Sequence, residues 1–135
     1  MIAEASIADA EDIIALWHAY GLVRPWNDPM TDFRLALESG SSTVLIARAS
    51  QGLDGSVMVG FDGHRGWVYY LAVAEAQRGT GLGRGLMAAA EEWLRARGCP
   101  KIQLMVRTGN HAAIGFYQAL GLELQEVVTL GRFLR

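Results

Sequence analysis

The chain has 135 residues, of which 51% are hydrophobic and 19% charged, with a formal net charge of −2. That size and mix suit one globular domain, residues 1–135, with a buried core. They exclude a basic nucleic-acid-binding surface, the roughly 20-residue apolar run of a membrane span, and, with Cys99 alone, a disulfide framework or thiolate metal cluster.

In chain order, residues 2–7 suit a short first strand. Asp9 offers a cap for a helix carrying Ile13, Leu16, Trp17 and Tyr20 at helical spacing. Residues 24–28 read as a polar and aromatic loop. Asp28-Pro29 then starts a second helix, the acid as cap and proline at the first helical position. Residues 43–47 form a continuous apolar run, hence a buried strand. A turn at residues 51–55 leads to a strand over 56–61. A second turn, Asp62-Gly63-His64-Arg65-Gly66, leads to a strand over 67–73. Both alternating faces of that last strand are apolar or aromatic, which predicts a central position.

A long helix is predicted over 82–97, its inner stripe made of Leu82, Leu86, Ala90, Trp93 and Leu94, with Gly98 ending it. Residues 101–106 suit a strand with Ile102, Leu104 and Val106 on one face. Asn110 caps a helix bearing Ile114, Tyr117 and Leu120, stopped by Gly121. Residues 122–134 alternate loosely and leave room for one or two more strands. The expected fold class is therefore α/β (mixed α+β), a mixed sheet with helices on both faces.

Between the strand over 67–73 and the long helix lies Arg78-Gly79-Thr80-Gly81-Leu82-Gly83. Alternate glycines let a backbone approach a ligand closely. The first N–H groups of the following helix lack intrahelical partners and sit at the positive end of its dipole. Together these make an anion site suited to a pyrophosphate, to which Arg78 and Arg84 add charged donors. A tight turn alone would not require glycine at 79, 81, 83 and 85. A nucleotide P-loop would end in Gly-Lys-Ser/Thr, whereas Gly83 is followed by Arg84-Gly85. The dinucleotide spacing G-x-G-x-x-G also fails, with Arg84 or Leu86 at its sixth position.

With these features the sequence resembles the GNAT family of N-acetyltransferases. Its acetyl-CoA motif, Gln/Arg-x-x-Gly-x-Gly/Ala, is matched by Arg78 through Gly83. The resemblance extends to Leu71-Ala72-Val73 before the turn and to Asn110-His111-Ala112-Ala113-Ile114-Gly115-Phe116-Tyr117-Gln118-Ala119-Leu120-Gly121-Leu122 after the long helix. Arg24-Pro25-Trp26-Asn27-Asp28-Pro29 and Asp62 to Gly66 are similar to segments of a subgroup, the YpeA-type small bacterial acetyltransferases. The family fold implied is a mixed, mostly antiparallel central sheet with helices on both faces.

The resemblance implies acetyl transfer from acetyl-CoA to an amine through a ternary complex. It assigns coenzyme A contacts to Leu71, Ala72, Val73, Arg78, Gly79, Thr80, Gly81, Leu82, Gly83, Arg84, Asn110, Ala113, Phe116 and Tyr117. In the family the strand matching Leu71 to Val73 splays from its neighbour, pairs with the pantetheine arm, and aims one N–H at the thioester carbonyl. Tyr117 matches the general acid that protonates the departing thiolate; a phenol of pKa about 10 suits a thiol of about 8.5. Asn110 is also explained by its cap alone.

The general base is left open among Asp62, His64 and a water held by Tyr70. Some peptide N-terminal acetyltransferases of this fold carry a glutamate in the strand before the Asn motif. Here residues 101–106 hold no acid and Met105 stands near that place, which argues against acetylation of ribosomal-protein N-termini. Arg24, Trp26, Asn27 and Asp28 lie where the family builds its acceptor side, although Asp28 has a capping role as well. The acceptor is expected to be a small molecule or peptide amine.

No metal is expected, since His18 and His111 have no ligand partner at useful spacing. No nucleic acid or membrane partner is expected either. Residues 1–5 contain no basic segment followed by an apolar stretch, which with the single cysteine suggests a cytoplasmic protein without a signal peptide. Homodimers are common in this fold, and the resemblance extends that by analogy. The alternatives are a catalytically silent CoA-sensing or partner-binding module, and a nucleotide-binding domain resting on the generic anion turn.

Overall fold

The computed structural model describes residues 1–134, which cluster into two compact units, Met1–Leu104 and the stretch from Met105 onward. The first unit runs β1 (Ile2–Glu4), a 3₁₀ turn (Ile7–Asp9), α1 (Ala10–Ala19), α2 (Pro29–Glu38), β2 (Ser42–Arg48), β3 (Leu53–Phe61) and β4 (Gly66–Val73). A second 3₁₀ turn (Glu75–Gln77), α3 (Leu82–Arg95) and β5 (Ile102–Gln103) complete it. The five strands lie side by side in sequence order; β1 to β4 pair antiparallel and β5 joins β4 in parallel. The sheet is thus mixed and mostly antiparallel, as expected.

Alternation along the strands assigns the two faces. Val44 and Ile46 pack with Ile13, Leu16 and Trp17 of α1 and Phe33 and Ala36 of α2. The intervening Thr43, Leu45 and Ala47 share the opposite face with their register partners Val59, Val57 and Gly55. There α3 lies against the sheet, with Leu86, Met87, Ala90, Trp93 and Leu94 buried along one side. Two points seat α3. A side chain at Gly55 would come within 2.9 Å of both the Ala72 carbonyl and a Leu86 methyl, and one at Gly66 within 2.5 Å of Leu94.

Several expectations are corrected. Asp9 does not cap α1 with its side chain. Its carboxylate instead accepts two bonds from Arg48, at 2.7 and 3.0 Å, and one from the Ser6 N–H at 2.9 Å. Those bonds hold it below the usual carboxylate range, the Arg48 hydrogen bond foremost. A bidentate guanidinium outweighs a cap. The strand expected over 101–106 is only Ile102–Gln103. β4 is not flanked along its whole length, because β5 meets it only at Gly66 and Trp67.

The second unit contains α4 (His111–Ala119), capped by Asn110, whose side chain accepts from the Ala113 N–H at 3.2 Å. The Leu122 N–H returns to the Tyr117 carbonyl and closes the helix at Gly121. Residues 122–134 form no strand, contrary to expectation: the alternation of apolar residues is there, but no ladder partner is. Among the described residues no helix is long and apolar enough to cross a membrane.

Candidate functional site

The informative element is β4, whose two ends differ. At its start the Asp62 turn is closed on itself. Asp62 accepts from the His64 and Arg65 N–H groups, both at 2.7 Å, and from the Trp67 indole at 3.2 Å. These bonds, the Arg65 one largest, hold its carboxyl below the usual range, so it is a poor proton acceptor. Asp62 and His64 lie outside the β5-paired end. Leu71 is about 16 Å further along the strand from Gly66, at roughly 3.3 Å per residue. The structure therefore does not bring Asp62 or His64 to Leu71, Ala72 and Val73.

Further along, the β3–β4 register shifts between Ser56 and Met58, so that Tyr70 and Leu71 form a bulge opposite Val57. Tyr70 has φ 53°, the only positive value at a non-glycine residue among those described. Such strain persists only where the surroundings over-determine it, and here three contacts do so. The Tyr70 carbonyl, turned out of the ladder, accepts from the Ser56 hydroxyl at 3.1 Å. Ser56, fully buried, accepts in turn from the Trp17 indole at 3.0 Å. The Tyr70 ring stacks on Trp17, centroids 3.8 Å apart and planes 10° from parallel. Leaving the buried Ser56 hydroxyl or Trp17 N–H unpaired would cost about 1–3 kcal/mol, so the relay is part of what fixes the bulge.

The Tyr70 hydroxyl donates to Asp32 Oδ2 of α2 at 2.6 Å. Burial and then this carboxylate push the phenol well above the usual tyrosine range. Its proton is thus committed to Asp32. Past the bulge, Ala72 and Val73 keep their β3 pairing on one side. On the other side β4 has no strand partner beyond Trp67 among the described residues. An open strand edge of this kind accepts an extended chain of amides.

That edge runs directly into the glycine turn. Gly79 and Gly81 have φ 78° and 90°, and a Cβ at either would meet nothing within 4 Å. The left-handed backbone, not crowding, is what requires glycine there. Gly81 is the N-cap of α3, and the first turn of α3 holds no acid. Leu82, Gly83 and Arg84 present the helix's unpaired N–H groups. Thr80 donates its hydroxyl to the Gln77 carbonyl at 2.6 Å, which tightens the turn. Arg78 lies 5.2 Å over the Tyr20 ring, and the Tyr20 hydroxyl accepts from the Glu75 N–H at 2.7 Å. Neither Arg78 nor Arg84 is in an ion pair among the described residues. Two uncompensated guanidiniums beside an open, glycine-lined helix start fit a pyrophosphate.

The loop before α2 is more self-contained than expected. Arg24 donates to the Gly21 and Val23 carbonyls of the segment that follows α1. The Asn27 N–H donates to the Arg24 carbonyl. Asp28 caps α2, accepting from the Met30 N–H at 3.1 Å and the Thr31 hydroxyl at 2.8 Å. Trp26 is 47% exposed. The sequence reading missed Asp32, Ser56, Trp17 and Tyr20 as site-builders. Asp32 sits in the first turn of α2, where an acid is explained by the helix dipole, and Trp17 and Tyr20 look like core positions.

In the second unit Phe116 and Tyr117 make an edge-to-face pair, centroids 5.1 Å apart. Burial raises the Tyr117 phenol above its ordinary pKa, so it stays protonated at neutral pH. Ala113, Phe116 and Tyr117 are all half-buried.

Comparison with known proteins agrees with this geometry. The model of the acetyltransferase (GNAT) family matches residues 11–122. An acetyltransferase of Yersinia enterocolitica is 45% identical over 125 residues, 93% of this chain and 89% of that protein. One from Pectobacterium atrosepticum is 46% identical over 124 residues, 92% of this chain and 88% of its own. The fold is that of AAC(6')-Iy, solved in complex with the bisubstrate analog CoA-S-monomethyl-acetylneamine. That likeness has a TM-score of 0.83 at 20% identity, over 98% of this chain and 97% of the other. With its family match spanning the open β4 edge, the glycine turn and the Tyr117 helix, this chain belongs to the GNAT family of acetyltransferases.

Proposed function

We propose that this protein is an acetyl-CoA-dependent N-acetyltransferase that transfers the acetyl group directly to a primary amine, with residues 1–135 working as one domain. The observation that carries the reading is the continuity of an unpaired strand edge with an anion-receiving turn, from Val68 to Arg84. An extended arm of amides ending in a pyrophosphate matches that sequence of surfaces. The family match running through both compact units supports treating the chain as one domain.

Acetyl-CoA, when bound, supplies a thioester carbonyl open to an amine nucleophile. The backbone of Gly79, Thr80, Gly81, Leu82 and Gly83 would cradle the pyrophosphate, with Arg78 and Arg84 neutralising it. Leu71, Ala72 and Val73 would hold the pantetheine arm, and an N–H of this stretch would donate to the carbonyl oxygen as charge develops there. The bulge fixed by Tyr70, Ser56 and Trp17 preorganises that donor, so no reorganisation is needed at the moment of reaction. Tyr117 would hand its proton to the departing sulfur and recover one from solvent, while the amine gives up its protons to water before and after attack on the carbonyl. Its match to the family motif, its protonated state and its half-buried position support this role. Asn110, Ala113 and Phe116 are assigned to coenzyme A on the same motif match. Trp26, an exposed aromatic of the loop, is assigned to the acceptor side.

The test is a thermal shift followed by an acceptor screen. Acetyl-CoA at a hundredfold its Kd should add about 2.7 kcal/mol, roughly 8 °C in Tm, and a primary amine should then release free CoA. No shift at saturating acetyl-CoA overturns the reading. Tyr117→Phe should lower kcat by about 10²-fold or more while keeping the shift; loss of the shift instead would make Tyr117 structural.

A further inference from the structure

We propose that Asp32, held by Tyr70 at the β4 bulge, receives the positively charged amine of the acceptor. This rests on the acetyltransferase reading and names the residue that binds and orients the amine in that site.

Asp32 and Asp54 are the half-buried carboxylates of the first unit with no basic partner among the described residues, and of the two only Asp32 is tied to the β4 bulge, through the Tyr70 hydroxyl. Asp9 is buried and has a bidentate guanidinium in Arg48. Asp28 and Asp62 are exposed, and each is filled by donors of its own turn. Asp32 is half-buried, yet its side chain has one hydrogen bond, from a neutral phenol, and no basic partner among the described residues. Oδ2 is occupied and Oδ1 is not. Drawing a carboxylate partly out of water is costly unless a cation or several donors compensate. A cationic ligand supplies both the charge and the donors this site lacks.

The second consideration is rigidity. The Tyr70 ring is pinned by stacking on Trp17, and its backbone by the Ser56 relay and the strained φ. A phenol held this firmly fixes Oδ2 and so aims Oδ1, the preorganisation that a binding group needs. The third is position. Tyr70 immediately precedes Leu71 to Val73, so one tyrosine side chain separates the carboxylate from the stretch of β4 proposed to hold the thioester. No acid of the Asp62 turn reaches that stretch.

The experiment compares hexylamine, hexanol and hexanoate as probes of the full chain by NMR titration, alongside kinetics with an amine found in the acceptor screen. Wild type should bind hexylammonium at least about tenfold more tightly than hexanol, and hexanoate least. Asp32→Asn should erase that preference and raise KM for the amine about tenfold, with KM for acetyl-CoA unchanged. The asparagine carbonyl still accepts the Tyr70 hydrogen bond, so Tm should hold. Tyr70→Phe keeps the stacked ring and should lose part of the preference. Asp32→Glu should restore part of it. Equal binding of the three probes by wild type, or an ammonium preference that survives in Asp32→Asn, overturns the proposal. Failure of acetyl-CoA to shift Tm would remove the acetyltransferase reading, while the probe series would still decide the role of Asp32.

Discussion

The two ends of β4 share a strand and a neighbour in β3, yet one is closed and the other open. At Gly66 and Trp67 the strand is paired on both sides, and the adjoining turn satisfies Asp62 with three donors of its own. At Tyr70 to Val73 the β5 side is open, a carbonyl is bent out of the ladder, and a carboxylate is left with one phenol. At the closed end the one carboxylate, Asp62, is satisfied within its own turn and by Trp67. At the open end satisfaction comes from α1, α2 and β3, and it stops short of completion. Surplus binding capacity marks where a ligand belongs, and conversely an acid is no candidate merely because it sits in a loop.

This contrast can be broken by substitutions at each end. The largest effect is expected at Gly55, opposite Val73, where a side chain meets the Ala72 carbonyl and the Leu86 and Leu82 methyls. Gly55→Val should cost about 3 kcal/mol in chemical denaturation and, by lifting the start of α3, should abolish the acetyl-CoA thermal shift. Gly66→Val presses on Leu94 and on the Cys99 sulfur instead. It should cost about 2 kcal/mol, because side-chain ends yield more readily than a carbonyl, and should keep the acetyl-CoA shift. Equal loss of the shift in both variants would deny that the two ends are separate. The smallest effect is expected from Asp62→Asn, with kcat and both KM values within about twofold of wild type in steady-state assays. A larger fall in kcat would return the Asp62 turn to the site.

Much of the fold was legible because its signals are local. The cap and proline at Asp28-Pro29, the apolar stripe of α3 and the Asn110 cap each depend on a few consecutive residues, and each forms where expected. The strands over 101–106 and 122–134 were over-read, since alternation records a capacity to pair and not the presence of a partner. Asp9 was misread for a related reason. Its capping role competes with Arg48, which is 39 residues away in sequence.

The sequence by itself determined the glycine turn. Glycine at 79 and 81 fixes a left-handed backbone that side chains disfavour, and the helix that follows makes its anion site from its own N–H groups. Only the tertiary structure assembled the proposed acceptor side. Asp32 and Tyr70 are 38 positions apart, and Trp17 and Ser56 39 apart. None carries a local mark of its role. They meet because strand register, a one-residue bulge and the burial of two helices on one sheet face bring them together, and no periodicity or motif records such a meeting.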